Sequence, residues 1–145
     1  MTTDACSFDA QTPAGPMHLT VPGPEWLGPV RTRVEAYLRG EQVAFEDVPM
    51  PRGTEFQRRC WQACRSIPYG QTRSYAWLAE QAGSPRAVRA AGQAMRRNPM
   101  PIVIPCHRVV GSSGWIGGFA GDARETGATV GMKRALLELE SGPAR

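Results

Sequence analysis

Among side chains that attack carbon or bind metals, this chain of 145 residues holds four cysteines, Cys6, Cys60, Cys64 and Cys106, and two histidines, His18 and His107. The segment Pro105-Cys106-His107-Arg108-Val109 sets a cysteine beside groups able to activate it. A thiol becomes a nucleophile when a base, a positive charge or a helix N-terminus favours its thiolate. Cys106 is therefore a candidate nucleophile. Neighbouring side chains often diverge, so an inert buried cysteine fits the same residues. Cys60 and Cys64 lie one helical turn apart. That spacing suits a metal or redox pair, but two small apolar side chains on a buried face are the favoured reading. Without a Cys-x-x-Cys pair, and with so few histidines, no structural zinc site is expected. Met1–Pro13 carries neither a basic start nor an apolar stretch. Neither a signal peptide nor a disulfide framework is then expected, and the expected location is cytoplasmic.

These residues need elements to position them. Hydrophobic residues make up 41% of the chain, enough for a buried core, and no apolar run could span a bilayer, so no membrane partner is expected. Met17–Val21 reads as a short strand. Glu25–Arg39 reads as a helix with Leu27, Val30, Val34 and Leu38 inward and Gly40 as its stop. Glu41–Pro51 reads as an extended linker. Thr54 caps a helix whose inner face carries Phe56, Cys60, Cys64 and Ile67, and Pro68-Tyr69-Gly70 makes a turn.

Ser74 caps a helix over Tyr75–Ala82 that ends at Gly83. Ser84-Pro85 then caps and starts another, giving the arrangement of a helix-turn-helix. Its inner side would carry Val88, Ala91 and Met95, and its outer side Arg86, Arg89, Gln93 and Arg96. Ala90, Gly92 and Ala94 keep its surface slim enough for close approach to a ligand. A solvated basic face on a core helix fits the same pattern. Of the 17 basic residues all but Lys133 are arginine, which suits phosphates and base edges, although genome composition explains the bias equally well. Asn98-Pro99 ends the helix. Ile102–Ile104 reads as a buried strand or extended segment leading to Cys106. A glycine-rich loop covers Gly111–Gly121, and a final helix covers Met132–Glu140 with Ala135, Leu136 and Leu139 inward.

The motifs around Cys106 resemble a known family. Pro105-Cys106-His107-Arg108-Val109 is similar to the active-site motif of the O6-alkylguanine-DNA alkyltransferases, and Asn98-Pro99-Met100-Pro101-Ile102 to their NPxPI segment. Gly53-Thr54-Glu55-Phe56-Gln57, Ile67-Pro68-Tyr69-Gly70-Gln71-Thr72 and Ser74-Tyr75 follow the same family in order and spacing. The resemblance runs from about Gly53 to Glu140. It implies an α+β fold: a winged helix-turn-helix-like DNA-binding and active-site domain over 51–145, with a small, reduced α/β part over 1–50.

The resemblance also implies roles. Cys106 would accept the alkyl group from O6-alkylguanine, with His107 as general base through a water and Glu140 orienting the histidine. Tyr75 would donate a proton towards the departing guanine and push on the rotating phosphate. Asn98 would tie the recognition helix to the active-site segment. Arg89 would fill the space left by the everted base, with Tyr75, Arg86, Ala90, Gly92 and Arg96 at the DNA. Pro101, Val109, Gly118, Phe119 and Ala120 would line the pocket. The implied partner is double-stranded DNA carrying O6-alkylguanine, approached from the minor groove by a monomer. Each molecule would act once, and no metal or organic cofactor is implied.

The sequence departs from the family at Phe119, where a tyrosine is usual, and at Ala120, where many members have a small hydroxyl residue. Asp122–Val130 holds about seven residues beyond the usual length, read as a solvent loop. The part before Gly53 is short and lacks the ligands of the metal site some relatives carry there. These changes keep a lesion-binding, non-transferring alkyltransferase-like protein as the alternative, although such proteins usually carry tryptophan where Cys106 stands. A transcription factor leaves the Pro-Cys-His-Arg-Val and NPxPI segments unexplained, and a cysteine hydrolase lacks a recognisable oxyanion arrangement.

Overall fold

The computed structural model describes residues 5–12, 15–22, 27–111 and 128–141. Strands β1 (Ala5–Thr12) and β2 (Gly15–Pro22) form an antiparallel hairpin that closes at the Thr12–Gly15 pair. Only Met17–Val21 of this hairpin is expected from sequence. Its turn relies on Gly15 at φ +122°, a backbone region that side chains disfavour.

Helix α1 (Leu27–Leu38) buries Val30, Val34, Tyr37 and Leu38, each at most 3% exposed. It stops at Gly40, whose amide bonds to the Tyr37 carbonyl at 2.9 Å and whose φ of +102° lets the next amide, Glu41, turn back to the Ala36 carbonyl at 3.2 Å. The expected linker after it holds no regular element, yet Phe45 and Val48 are buried. Arg33 pins this segment through the Ala44 carbonyl and the Asp47 carboxylate.

Helix α2 (Glu55–Arg65) starts at Thr54, which forms a reciprocal capping box with Gln57. Cys60, Cys64 and Ile67 are buried as expected, Phe56 only partly, and Trp61 joins them. Gly53 is needed here: a Cβ would sit 2.7 Å from the Trp61 ring.

Strand β3 (Arg73–Ser74) pairs in parallel with β4 (Val109–Val110). Ser74 also caps α3 (Tyr75–Gln81) by accepting from the Trp77 amide. Helix α4 (Val88–Arg96) packs on α3, and the Trp61 indole N–H reaches its Ala94 carbonyl from α2 at 2.9 Å.

The start of α4 corrects the sequence expectation. The Ala87 amide bonds to the Ser84 carbonyl at 2.8 Å, so Ser84–Ala87 closes a turn before the helix begins. Arg86 therefore lies in the connection, not on the helix. Val88 is 37% exposed rather than inward, and Ala94 is buried with Ala91 and Met95 rather than outward.

The segment Ile102–Ile104 is likewise a turn, not a strand. Ile102 sits at φ +77°, a strained region for a β-branched residue, and the Ile104 amide returns to the Met100 carbonyl. Helix α5 (Ala128–Ser141) begins four residues before the expected Met132. It buries Leu136, with Ala135 and Leu139 part-buried. The result is a mixed helix-and-sheet fold in which side chains from α1, α2, α3, α4, β4 and α5 share a single core cluster.

Candidate active site

Cys106 opens a one-turn 3₁₀ helix, Cys106–Arg108, that runs directly into β4. Pro105 at φ −78°, ψ 67° makes an inverse γ-turn, so the Cys106 amide bonds to the Ile104 carbonyl at 2.7 Å. Buried Asn98 braces the same point. Its Nδ2 donates to the Ile104 carbonyl at 2.7 Å, and its Oδ1 accepts from the Met100 amide at 2.9 Å. The end of α4 and the cysteine loop are thus joined through one side chain. Cys106 itself is 3% exposed.

His107 is fully buried, and its Nε2 lies 2.6 Å from Glu140 Oε2. The Tyr37 hydroxyl donates to that same Oε2 at 2.5 Å and lies 3.2 Å from His107 Nε2. A carboxylate only accepts, so Nε2 must carry the proton. Nδ1 is then the basic nitrogen, and it has no hydrogen-bond partner among the described residues.

Burial raises the energy of the Glu140 carboxylate, but the hydrogen bond from His107 and the hydrogen bonds and charge of Arg108 outweigh it and hold its pKa well below the usual carboxylate range. Arg108 donates to both carboxylate oxygens and to the Ile67 carbonyl, and the Gly70 amide donates to Oε1 at 3.1 Å. Burial pushes the His107 pKa below its ordinary value, against the pull of Glu140. The imidazole is therefore held neutral and available as a base.

A second pair flanks the cysteine. Lys133, buried on α5, donates to the Val109 carbonyl at 2.8 Å and lies 3.4 Å from the Tyr75 hydroxyl. Burial pulls its pKa down to about 8, opposed by the charge of Cys106. Burial, and then the Cys106 charge, pushes the Tyr75 hydroxyl up to about 12. Cys60 and Cys64 sit in the core with thiols pushed up by burial, Cys60 to about 11, so neither is a ready nucleophile.

The structure thus brings Cys106, His107, Glu140, Tyr75 and Asn98 into one neighbourhood. Pro101 and Val109 are buried beside them. Arg86, Arg89 and Ala90 are exposed and Arg96 is part-buried; a Cβ on Gly92 would lie 3.9 Å from the Tyr75 ring. Gly118, Phe119, Ala120 and most of Asp122–Val130 lie outside the described residues, while Ala128–Val130 falls in α5.

The 6-O-methylguanine DNA methyltransferase DNA-binding domain matches residues 55–142. The chain belongs to the 6-O-methylguanine DNA methyltransferase family. A methylated-DNA–protein-cysteine methyltransferase of Mycobacterium tuberculosis is 46% identical over 112 residues, 77% of this chain. The chain spans 64% of that relative's length. The fold is similar to Mycobacterium tuberculosis OGT in complex with DNA, at TM-score 0.69 and 38% identity, covering 92% of this chain and 91% of that one. It is also similar to Schizosaccharomyces pombe Atl1 bound to damaged DNA containing O6-carboxymethylguanine, at TM-score 0.51 and 34% identity, over 62% and 79% of the two chains.

For a methyltransferase-family chain, sequence reasoning missed Tyr37, Lys133 and the part Arg108 plays. Tyr37 follows Val30 and Val34 at helical spacing and reads as core. Lys133 precedes Leu136 and Glu140 by three and seven residues, a spacing that places it on their inward face and was a usable signal. Arg108, two residues after Cys106 in sequence, turns to Glu140, which is visible only once the chain is folded.

Proposed function

We propose that this protein repairs O6-alkylguanine in double-stranded DNA by moving the alkyl group, once per molecule, onto Cys106. The observation that carries this is the 2.6 Å His107–Glu140 contact immediately beside Cys106, which leaves Nδ1 as the base. His107 takes the Cys106 proton through a water. The sulfur forms a bond to the alkyl carbon as the carbon–O6 bond breaks, and the electron pair goes to guanine. Tyr75 gives guanine a proton, and the neighbouring Lys133 ammonium stabilises the tyrosinate until solvent restores it. The thioether is not reversed, so the protein is consumed.

The sulfur is nearly buried, and a stacked base cannot reach it. Eversion of the nucleotide supplies the access, at a cost of a few kcal/mol. In this reading α3 and α4 act as a winged helix-turn-helix that enters the minor groove, where readout is degenerate and a lesion scanner needs little sequence preference. Exposed Arg89 fills the vacated stack, and Arg86, Ala90, Gly92 and Arg96 lie along the groove. The protein works as a monomer. Atl1 is bound to a lesion in its solved complex, but the acceptor thiol here favours transfer over lesion binding alone.

The test is stoichiometry. Duplex containing O6-methylguanine, incubated with increasing protein, should be restored to guanine at one lesion per protein molecule. Restoration of many lesions per molecule, or of none, contradicts the proposal.

A further inference from the structure

We infer that Tyr37 is a positioning residue for the His107–Glu140 pair, reached from a helix outside the segment that the family's DNA-binding domain matches. The match begins at residue 55, while Tyr37 lies on α1. Its hydroxyl touches both members of the pair, 2.5 Å from Glu140 Oε2 and 3.2 Å from His107 Nε2, and the residue is 2% exposed. Its ring packs edge-on against Tyr69, which in turn lies under the Arg108 guanidinium. The role rests on the repair reading only for its catalytic consequence; the contact itself is independent of it.

The contact has two effects. A hydroxyl anchored in the core fixes one carboxylate oxygen and so keeps the imidazole in one tautomer and orientation. It also takes up part of the carboxylate charge that would otherwise act on His107. The ionisable groups around the imidazole are Glu140 and Lys133 from α5, Arg108 from the 3₁₀ turn and Tyr37 from α1; Cys64 of α2 couples to neighbouring Cys106. Of these, Tyr37 contributes a neutral donor to the oxygen that His107 uses. Removing it leaves more carboxylate charge on the ring, favours the imidazolium and lowers the fraction of molecules holding a free base at mildly acidic pH.

The test is Tyr37→Phe, which deletes the hydroxyl and keeps the ring. His107 is titrated by NMR in histidine-labelled protein, with His18 as the other imidazole signal, and alkyl transfer is timed across pH under single-turnover conditions. The expected results are a His107 midpoint raised by about half a pH unit or more. The acid limb of the transfer rate should move up with it, and the plateau rate should be about three- to tenfold lower, with DNA affinity unchanged. A folded Tyr37→Phe with an unshifted His107 midpoint overturns the inference.

If that variant fails to fold, 3-fluorotyrosine placed at position 37 alone supplies a more acidic, stronger donor and should lower the midpoint; no movement overturns the inference. If wild type transfers no alkyl group while Tyr37→Phe still shifts His107, the repair proposal fails and the positioning role stands.

Discussion

Asn98 and Cys106 meet on one carbonyl: the Asn98 amide and the Cys106 backbone N–H both donate to the oxygen of Ile104, each at 2.7 Å. The segment just after α4 and the reactive loop are therefore held in register through the Ile104 carbonyl. The strained Ile102, between the two Asn98 contacts, is kept in place by the same bracing.

Asn98→Ala should strand the Met100 amide in a buried site and leave Ile104 with a single donor. A loss of about 2–4 kcal/mol in urea unfolding is expected. Because the loop carrying Cys106 is released, transfer should slow more than DNA binding weakens, measured by single-turnover rates beside binding titrations.

Glu140→Gln removes the charge that pairs with Arg108 and accepts from His107, leaving a part-buried guanidinium without its counterion. Stability at pH 7 should drop by about 3–5 kcal/mol. The pH dependence has a definite sign. The folded Glu140 pKa lies far below 4.5, so its contribution is present above 4.5 and is lost as pH falls through the folded value. His107 is depressed below 6.5, so wild type also loses stability as pH falls below that point. In the variant the lower of these two losses should vanish from acid unfolding curves.

Lys133→Met tests the second pair. Transfer should slow at least about tenfold if the ammonium stabilises the tyrosinate. The folded Lys133 pKa is about 8 against 10.5 unfolded, so the unfolded chain holds the extra proton between these values. Wild-type stability relative to the variant should therefore climb as pH rises from about 8 to 10.5 and be flat below. Urea titrations over that range would show it; a flat difference would place the lysine outside the buried environment described.

Arg89→Ala should leave the fold unchanged, since the side chain is exposed on α4, and should slow transfer from duplex DNA while sparing transfer from free O6-benzylguanine. Affinity for duplex should fall steeply with salt in both proteins, because phosphate contacts dominate. Equal duplex rates for the two proteins would remove Arg89 from the eversion step.

Much of this was legible in the sequence because the decisive signals are local. Thr54 with Gln57, Ser74 before Tyr75 and Gly40 after α1 mark element ends by short-range hydrogen bonding, and they do so in the structure. Ser84 carried a similar signal and misled, since its carbonyl closes a turn with Ala87 before any helix starts. Ile102–Ile104 misled because β-branched residues favour strands, yet the Asn98 bracing bends them into a turn. Tyr37 was illegible for another reason: it meets Glu140 across 103 residues of chain, a contact no local pattern encodes.

The central claim concerns which sulfur receives the group. After reaction with O6-methylguanine duplex, the protein should be digested and its cysteine peptides weighed. One added methyl on the Cys106 peptide, with Cys60 and Cys64 unmodified, is the predicted result. A repaired duplex beside an unmodified Cys106 peptide would contradict the account.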